Sequence, residues 1–169
     1  MKAVIVPCFL LVLAGCGFHL RTARMMNVPS TLATLRVTMP SSGLRYPGLV
    51  LIMDRILADH GVDVVRHNSK VPTLVLSGES LNPVVVTVNN NGGASAYLLD
   101  YAVTFVVLSA NGKPLTAPKT VRVQREYDFD PLNILSMARE QTYLQKRMRI
   151  AAARQIVDRL AMYGSVHAH

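Results

Sequence analysis

Tyr97, Leu99, Tyr101, Val103, Phe105 and Val107 occupy every second position of one stretch. A period of two is the repeat of a β-strand, whose successive side chains leave opposite faces. Wound as a helix, the same residues would scatter around the whole circumference. Asn89-Asn90-Asn91-Gly92-Gly93 precedes the stretch, and Asn111-Gly112-Lys113-Pro114 follows it. Asn and Gly accept the positive φ that tight hairpins need. The chain must therefore reverse at both ends of this strand. Leu74, Leu76 and the run Val84-Val85-Val86-Thr87-Val88 supply the strand before it. Val121, Val123, Tyr127 and Phe129 alternate with polar residues in the strand after it, and Arg125 is the exception in the apolar row. Gly78 and Pro83 interrupt the first strand and predict a bulge or an edge position.

The remaining elements follow from changes of period. Leu35, Val37 and Met39 alternate as a short strand. Leu49, Ile52, Met53, Ile56 and Leu57 recur at helical spacing within 44–60, with Pro47 near the start and Gly61 at the C-cap. Met137, Leu144, Met148, Ala152, Ile156, Leu160 and Tyr163 form a second, longer helical stripe. Asp130 is its expected N-cap, Pro131 its first residue and Gly164 its end. Strand, helix, three antiparallel strands and helix make an α/β two-layer sandwich. The expected sheet is mixed and four-stranded, with both helices on one face, in a single domain over 34–164 and a short tail over 165–169. Leu98, Val106 and Leu108 point away from the helix side, and the valine run is apolar on both faces. A solvent-facing sheet side is usually more polar. A partner is therefore expected on this side, with Asn90 at the turn counted in its interface.

The N-terminus is of another kind. Met1-Lys2 precedes a dozen or so apolar residues that stop at small residues before Cys16. The run is shorter than the ~20 residues a spanning helix needs, and Pro7 weakens a helix further. Residues 1–15 read as a signal peptide. Cys16 could end a membrane segment, pair with Cys8, or begin the mature chain. Leu13-Ala14-Gly15-Cys16 resembles the lipobox of bacterial lipoproteins. That resemblance implies diacylglycerol on the Cys16 thiol, an N-acyl chain on its new amino group, and loss of Cys8 with the leader. Gly17, where inner-membrane lipoproteins carry aspartate, implies sorting to the outer membrane. Residues 16–33 become the lipidated tether. The mature chain has 169 − 15 = 154 residues, and losing Lys2 takes the charge from +8 to +7. A basic balance suits an anionic partner.

Catalysis has little to stand on. His19, His60, His67, His167 and His169 are scattered, without paired-ligand spacing. No GxSxG, Walker A or GxGxxG is present. Neither a metal site nor a cofactor is expected beyond the acyl chains on Cys16. Nucleic acid is excluded as a partner by the compartment and by the lack of aromatics interleaved with basic residues.

With these elements placed, the chain resembles the LptE family of outer-membrane lipopolysaccharide-assembly lipoproteins. The resemblance rests on Cys16-Gly17-Phe18-His19-Leu20-Arg21, on Val28-Pro29-Ser30 before the Leu35 strand, and on the Tyr101/Phe105 strand. Arg125-Glu126-Tyr127-Asp128-Phe129-Asp130-Pro131 and the long helix beginning Leu135-Ser136-Met137-Ala138-Arg139-Glu140 complete it. It implies a non-enzymatic subunit that plugs an LptD-like β-barrel as a heterodimer, assists its assembly and binds lipopolysaccharide during export. The lipid anchor would hold it in the inner leaflet of the outer membrane, on the periplasmic face. Lys119 and Arg122, near the start of the last strand, become candidate phosphate contacts. Arg125 is a third candidate, or else an ion-pair partner between sheet and helix. A different outer-membrane module, for envelope maintenance or peptidoglycan binding, is the second reading.

Overall fold

The computed structural model describes residues 28–40, 47–68 and 70–166. Cys16, His19, His167 and His169 lie outside them. The strands are β1 (Thr34–Thr38), β2 (Asp63–Val64), β3 (Thr73–Val88), β4 (Ala94–Leu108) and β5 (Lys119–Asp128). The helices are α1 (Pro47–Asp59) and α2 (Ile134–Val166). The sheet order is β2-β1-β3-β4-β5. β1 is parallel to both its neighbours, and the remaining pairs are antiparallel. α1 packs on β1 and β2, α2 on β4 and β5, and the helices on each other. The two-layer α/β sandwich with a mixed sheet is the fold expected, with one correction. The sheet has five strands, because α1 first delivers the chain to β2 on the outer side of β1. Two residues carry no readable period, so β2 is silent in the sequence.

The core is the inward row of each strand against the helical stripes. Leu99, Tyr101, Val103, Phe105 and Val107 are buried along β4, flanked by Leu74 and Leu76 on β3 and by Val121 and Val123 on β5. Leu49, Met53 and Leu57 of α1 and Met148, Ala152, Ile156 and Leu160 of α2 close the layer. Leu32 joins this core from a single 3-10 turn at Ser30–Leu32, ahead of β1.

At the end of α1 the Gly61 N–H donates to the Ala58 carbonyl at 2.9 Å and the Val62 N–H to the Leu57 carbonyl at 3.0 Å. This is a Schellman cap, and Gly61 takes the φ of +78° that it requires. A Cβ at Gly61 would meet nothing within 4 Å, so the cost of a substitution lies in the backbone alone. Gly61→Ala is expected to lower stability by about 1–2 kcal/mol, read as a shift of the urea midpoint at unchanged slope. The start of α2 is a correction. Helix begins at Ile134, and Asp130 instead closes a turn, accepting from the Leu132 N–H at 2.9 Å and the Asn133 side-chain amide at 2.6 Å. Those bonds, the backbone one first, hold the Asp130 carboxyl below its ordinary range. Nor does Gly164 end the helix, which continues to Val166.

β3 contains the predicted bulge. Ser77 pairs with Thr104 and Ser80 with Ala102, so Gly78 and Glu79 together face Val103. Gly78 has a φ of +60°, which glycine adopts at little cost. The extra residue reverses the parity of the strand. Even-numbered Leu74 and Leu76 point inward before it, and odd-numbered Glu79 and Leu81 after it. A carboxylate is thereby driven into the sheet–helix layer. Tyr101 Oη donates to Glu79 Oε1 at 3.0 Å, and Arg149 Nε of α2 donates to the same oxygen at 2.7 Å. The Glu79 side chain is only 3% exposed. Burial, followed by the adjacent Glu79 carboxylate, pushes the Tyr101 hydroxyl well above its ordinary range. Among the described residues, no helix is long and apolar enough to cross a membrane.

Candidate functional site

Past the bulge, β3, β4 and β5 run on as a three-stranded arm with β3 at its open edge, because β1 pairs with β3 only at Thr73–Val75 while β5 stays paired to β4 as far as Ala96. Pro83 is tolerated in this arm because its open side is a sheet edge. Asn89 ties the turn, its Oδ1 accepting from the Asn91 and Gly93 N–H groups at 3.0 Å each. Asn90 is exposed at the tip. Val84, Val85, Val86 and Val88 remain 44–61% exposed. Beside them Tyr97 stacks on Tyr127 at 5.8 Å and meets Phe129 edge-on at 5.2 Å. The chain leaves β5 at this same end and presents Leu132, Ile134 and Leu135, of which Leu132 is 91% and Leu135 81% exposed. Scattered exposed apolar residues are ordinary. Seven large aliphatic side chains exposed at one end of the sheet exceed such a scatter.

The outer sheet face is more mixed than expected. Leu98, Val106 and Leu108 are half-buried on it. Leu98 lies beside Val84 at the arm, whereas Val106 pairs with Val75 and Leu108 with Thr73 at the other end. Between them stand Asp100, Ala102 and Thr104, and Thr104 shares a 2.8 Å hydrogen bond with Thr120. The face therefore has two apolar ends and a polar belt.

The three basic candidates do not form one cluster. Lys119 opens β5 opposite Phe105, at the end away from Asn90. Arg122 lies in the polar belt, and its Nη1 meets Asp100 Oδ2 at 3.1 Å while its side chain stays 67% exposed. An exposed pair of this kind contributes roughly 0–1 kcal/mol, so Arg122 can exchange partners readily. Arg125 is on the helix side of the sheet, and among the described residues it forms no ion pair within the layer. It is exposed, donates from Nη1 to the Gln124 carbonyl at 3.3 Å, and lines a groove with Leu144, Arg147, Ile150, Ala151 and Arg154 of α2. The internal ion pair belongs to Arg149 instead. The groove was missed although a signal existed: Leu144, Arg147, Ala151 and Arg154 recur at steps of three and four. The exposed Leu132, Ile134 and Leu135 were also legible, as apolar residues outside the buried helical stripe.

The family model whose description reads lipopolysaccharide-assembly, LptE, matches residues 36–160. A Photorhabdus laumondii protein named LPS-assembly lipoprotein LptE is 33% identical over 151 residues, covering 89% of this chain and 79% of its own. A Yersinia pestis protein of the same name is 32% identical over 160 residues, covering 94% of this chain and 72% of its own. Among solved structures, rare lipoprotein B from Shewanella oneidensis superposes with a TM-score of 0.68 at 27% identity, covering 80% of this chain and 99% of its own. A lipoprotein B from Nitrosomonas europaea gives 0.70 at 22% identity over 90% and 97% of the two chains, a likeness of fold. The sheet with its long arm, the two helices on one face and the matched sequence agree: the chain belongs to the LptE family.

Proposed function

We propose that this chain is the non-enzymatic, lipid-anchored subunit of an outer-membrane lipopolysaccharide translocon. In this reading diacylglycerol and an N-acyl chain on Cys16 hold it to the inner leaflet. The domain stands in the lumen of an LptD-like β-barrel, which it plugs and helps to assemble. Membership of the LptE family supports the reading, and its relatives carry the name LPS-assembly lipoprotein. The observation that carries it is the apolar arm end, where Val84, Val85, Val86, Val88, Leu132, Ile134 and Leu135 are exposed. Water is a poor neighbour for that surface and the wall of a larger protein a good one. Asn90 and Leu98 belong to this contact, and Val106 and Leu108 to a second one at the opposite end of the sheet. Lys119, Arg122 and Arg125 are the proposed contacts for lipopolysaccharide phosphates. Guanidinium forks match phosphate oxygens, and Arg122 stands clear of the sheet.

The test is photocrosslinking in living cells from positions 86, 90, 122 and 135. A large outer-membrane barrel protein is expected from 86, 90 and 135, and lipopolysaccharide from 122. Absence of any barrel adduct, together with a solitary monomer after native extraction, would overturn the reading. Capture of peptidoglycan fragments instead would favour an envelope-maintenance module.

A further inference from the structure

Arg125 stands at an inward position of β5, in line with buried Val121 and Val123. An apolar side chain there would extend the contact between sheet and helix. With arginine in its place, the layer opens into a groove of about 550 Å³, within the usual range for small-molecule sites. Arg147 and Arg154 reach it from α2, two turns apart, and Leu144, Ile150 and Ala151 supply an apolar wall. Among the described residues no carboxylate lines it. Among the described residues none of these three arginines forms an ion pair, whereas Arg149 and Arg122 each have one. Arg147 is partly ordered in advance, since its Nη1 donates to Tyr143 Oη at 2.8 Å and its guanidinium stands 5.5 Å from that ring centroid.

Three cations converging on one groove repel each other, and an anion between them turns that repulsion into attraction. The wall decides what kind of anion. A bare inorganic ion would leave Leu144, Ile150 and Ala151 wet, so the ligand has an apolar part. The forks decide the head group. A carboxylate can accept one bidentate fork, while a phosphate has enough oxygens to engage several. We propose that the groove between β5 and α2 binds the phosphate group of a phosphorylated amphiphile. This deepens the lipopolysaccharide reading and rests on it only for which amphiphile fills the groove in the cell.

The test uses the full lipidated chain in a non-ionic detergent, following the arginine Nε–H NMR signals during titration. Hexyl phosphate is expected to bind about tenfold or more tightly than either inorganic phosphate or hexanol. It should shift Arg125, Arg147 and Arg154 together. Changing those three to Gln should weaken it about tenfold or more, and Lys113→Gln, in the exposed turn between β4 and β5, should not. All three are exposed, so the variant keeps its fold by circular dichroism; Arg154→Gln alone, with a smaller loss, covers the case where it does not. A short-chain phosphatidic acid and a phosphorylated acyl-glucosamine form a second arm. Preference for either supports the proposal and names the source. Equal binding of inorganic phosphate overturns it, and so does tighter binding of an aspartate-rich hexapeptide, which would point to an acidic protein segment. Such a failure with barrel capture intact at position 86 would sink the groove and leave the translocon reading standing.

Discussion

Arg149→Met is expected to destabilise the folded domain by about 3–5 kcal/mol. The cause is the carboxylate it abandons. Glu79 is 3% exposed, and both of its donors, Arg149 Nε at 2.7 Å and Tyr101 Oη at 3.0 Å, meet the same oxygen, Oε1. With Arg149 gone, one neutral hydroxyl would have to support a buried charge. Glu79→Met should cost less, because the Arg149 side chain is 12% exposed and reaches the edge of solvent. The double variant Glu79→Met with Arg149→Met should recover much of the loss, since removing both charges also removes their desolvation. A double-mutant cycle from urea midpoints measures this. If the two losses simply add, the pair is not coupled as argued. Tyr101 gives an independent check through pH. Its hydroxyl holds its proton more tightly in the folded chain than in the unfolded one. The stabilisation is therefore complete below the ordinary tyrosine value of about 10 and is lost as pH rises above it. Tyr101→Phe should flatten most of that alkaline decline. Tyr127, raised by burial in the same direction, leaves a residue of it.

This network shows where a linear reading runs out. The alternation of Tyr97–Val107 named the central strand and its inward face, and burial follows it from Leu99 to Val107 residue by residue. Helix α1 and its Gly61 cap were equally plain, because cap and stripe are local. Glu79 was not. By type it belongs to the surface, and only the bulge at Gly78 turns it inward. Its partner Arg149 is 70 residues away in sequence. The bulge itself was visible in Gly78, but its consequence for parity was not, because the valines after it are apolar on both faces. β2 escaped for the opposite reason. It is held by two parallel pairs to β1, Thr34 with Asp63 and Leu35 with Val64, and two residues have no period. Arg125 was conspicuous as a cation in an apolar row. Which charge it would meet depended on the rotation of α2, and that rotation puts Arg149 toward Glu79 and Arg147 and Arg154 toward Arg125.

Leu132→Asp with Leu135→Asp should leave the domain folded and abolish its capture by a barrel partner. At 91% and 81% exposure the two leucines stabilise the isolated domain very little. Surface changes of this kind usually shift stability by less than about 0.5 kcal/mol. A partner that covers them changes the balance. Burying a leucine side chain fully is worth about 1.5–3 kcal/mol. Two of them would carry about 3–6 kcal/mol of the association, or a hundredfold and more in affinity. The aspartates also bring charge into a contact that has to exclude water. The expected result is an unchanged urea midpoint beside loss of the photocrosslink from position 86. A matched control, Glu140→Gln on the exposed α2 surface one turn further on, should change neither. If barrel capture survives the double substitution, the contact lies elsewhere, and the outer sheet face around Val106 and Leu108 becomes the surface to test. If the midpoint falls instead, these leucines pack within the domain, and the arm end loses its standing as an interface.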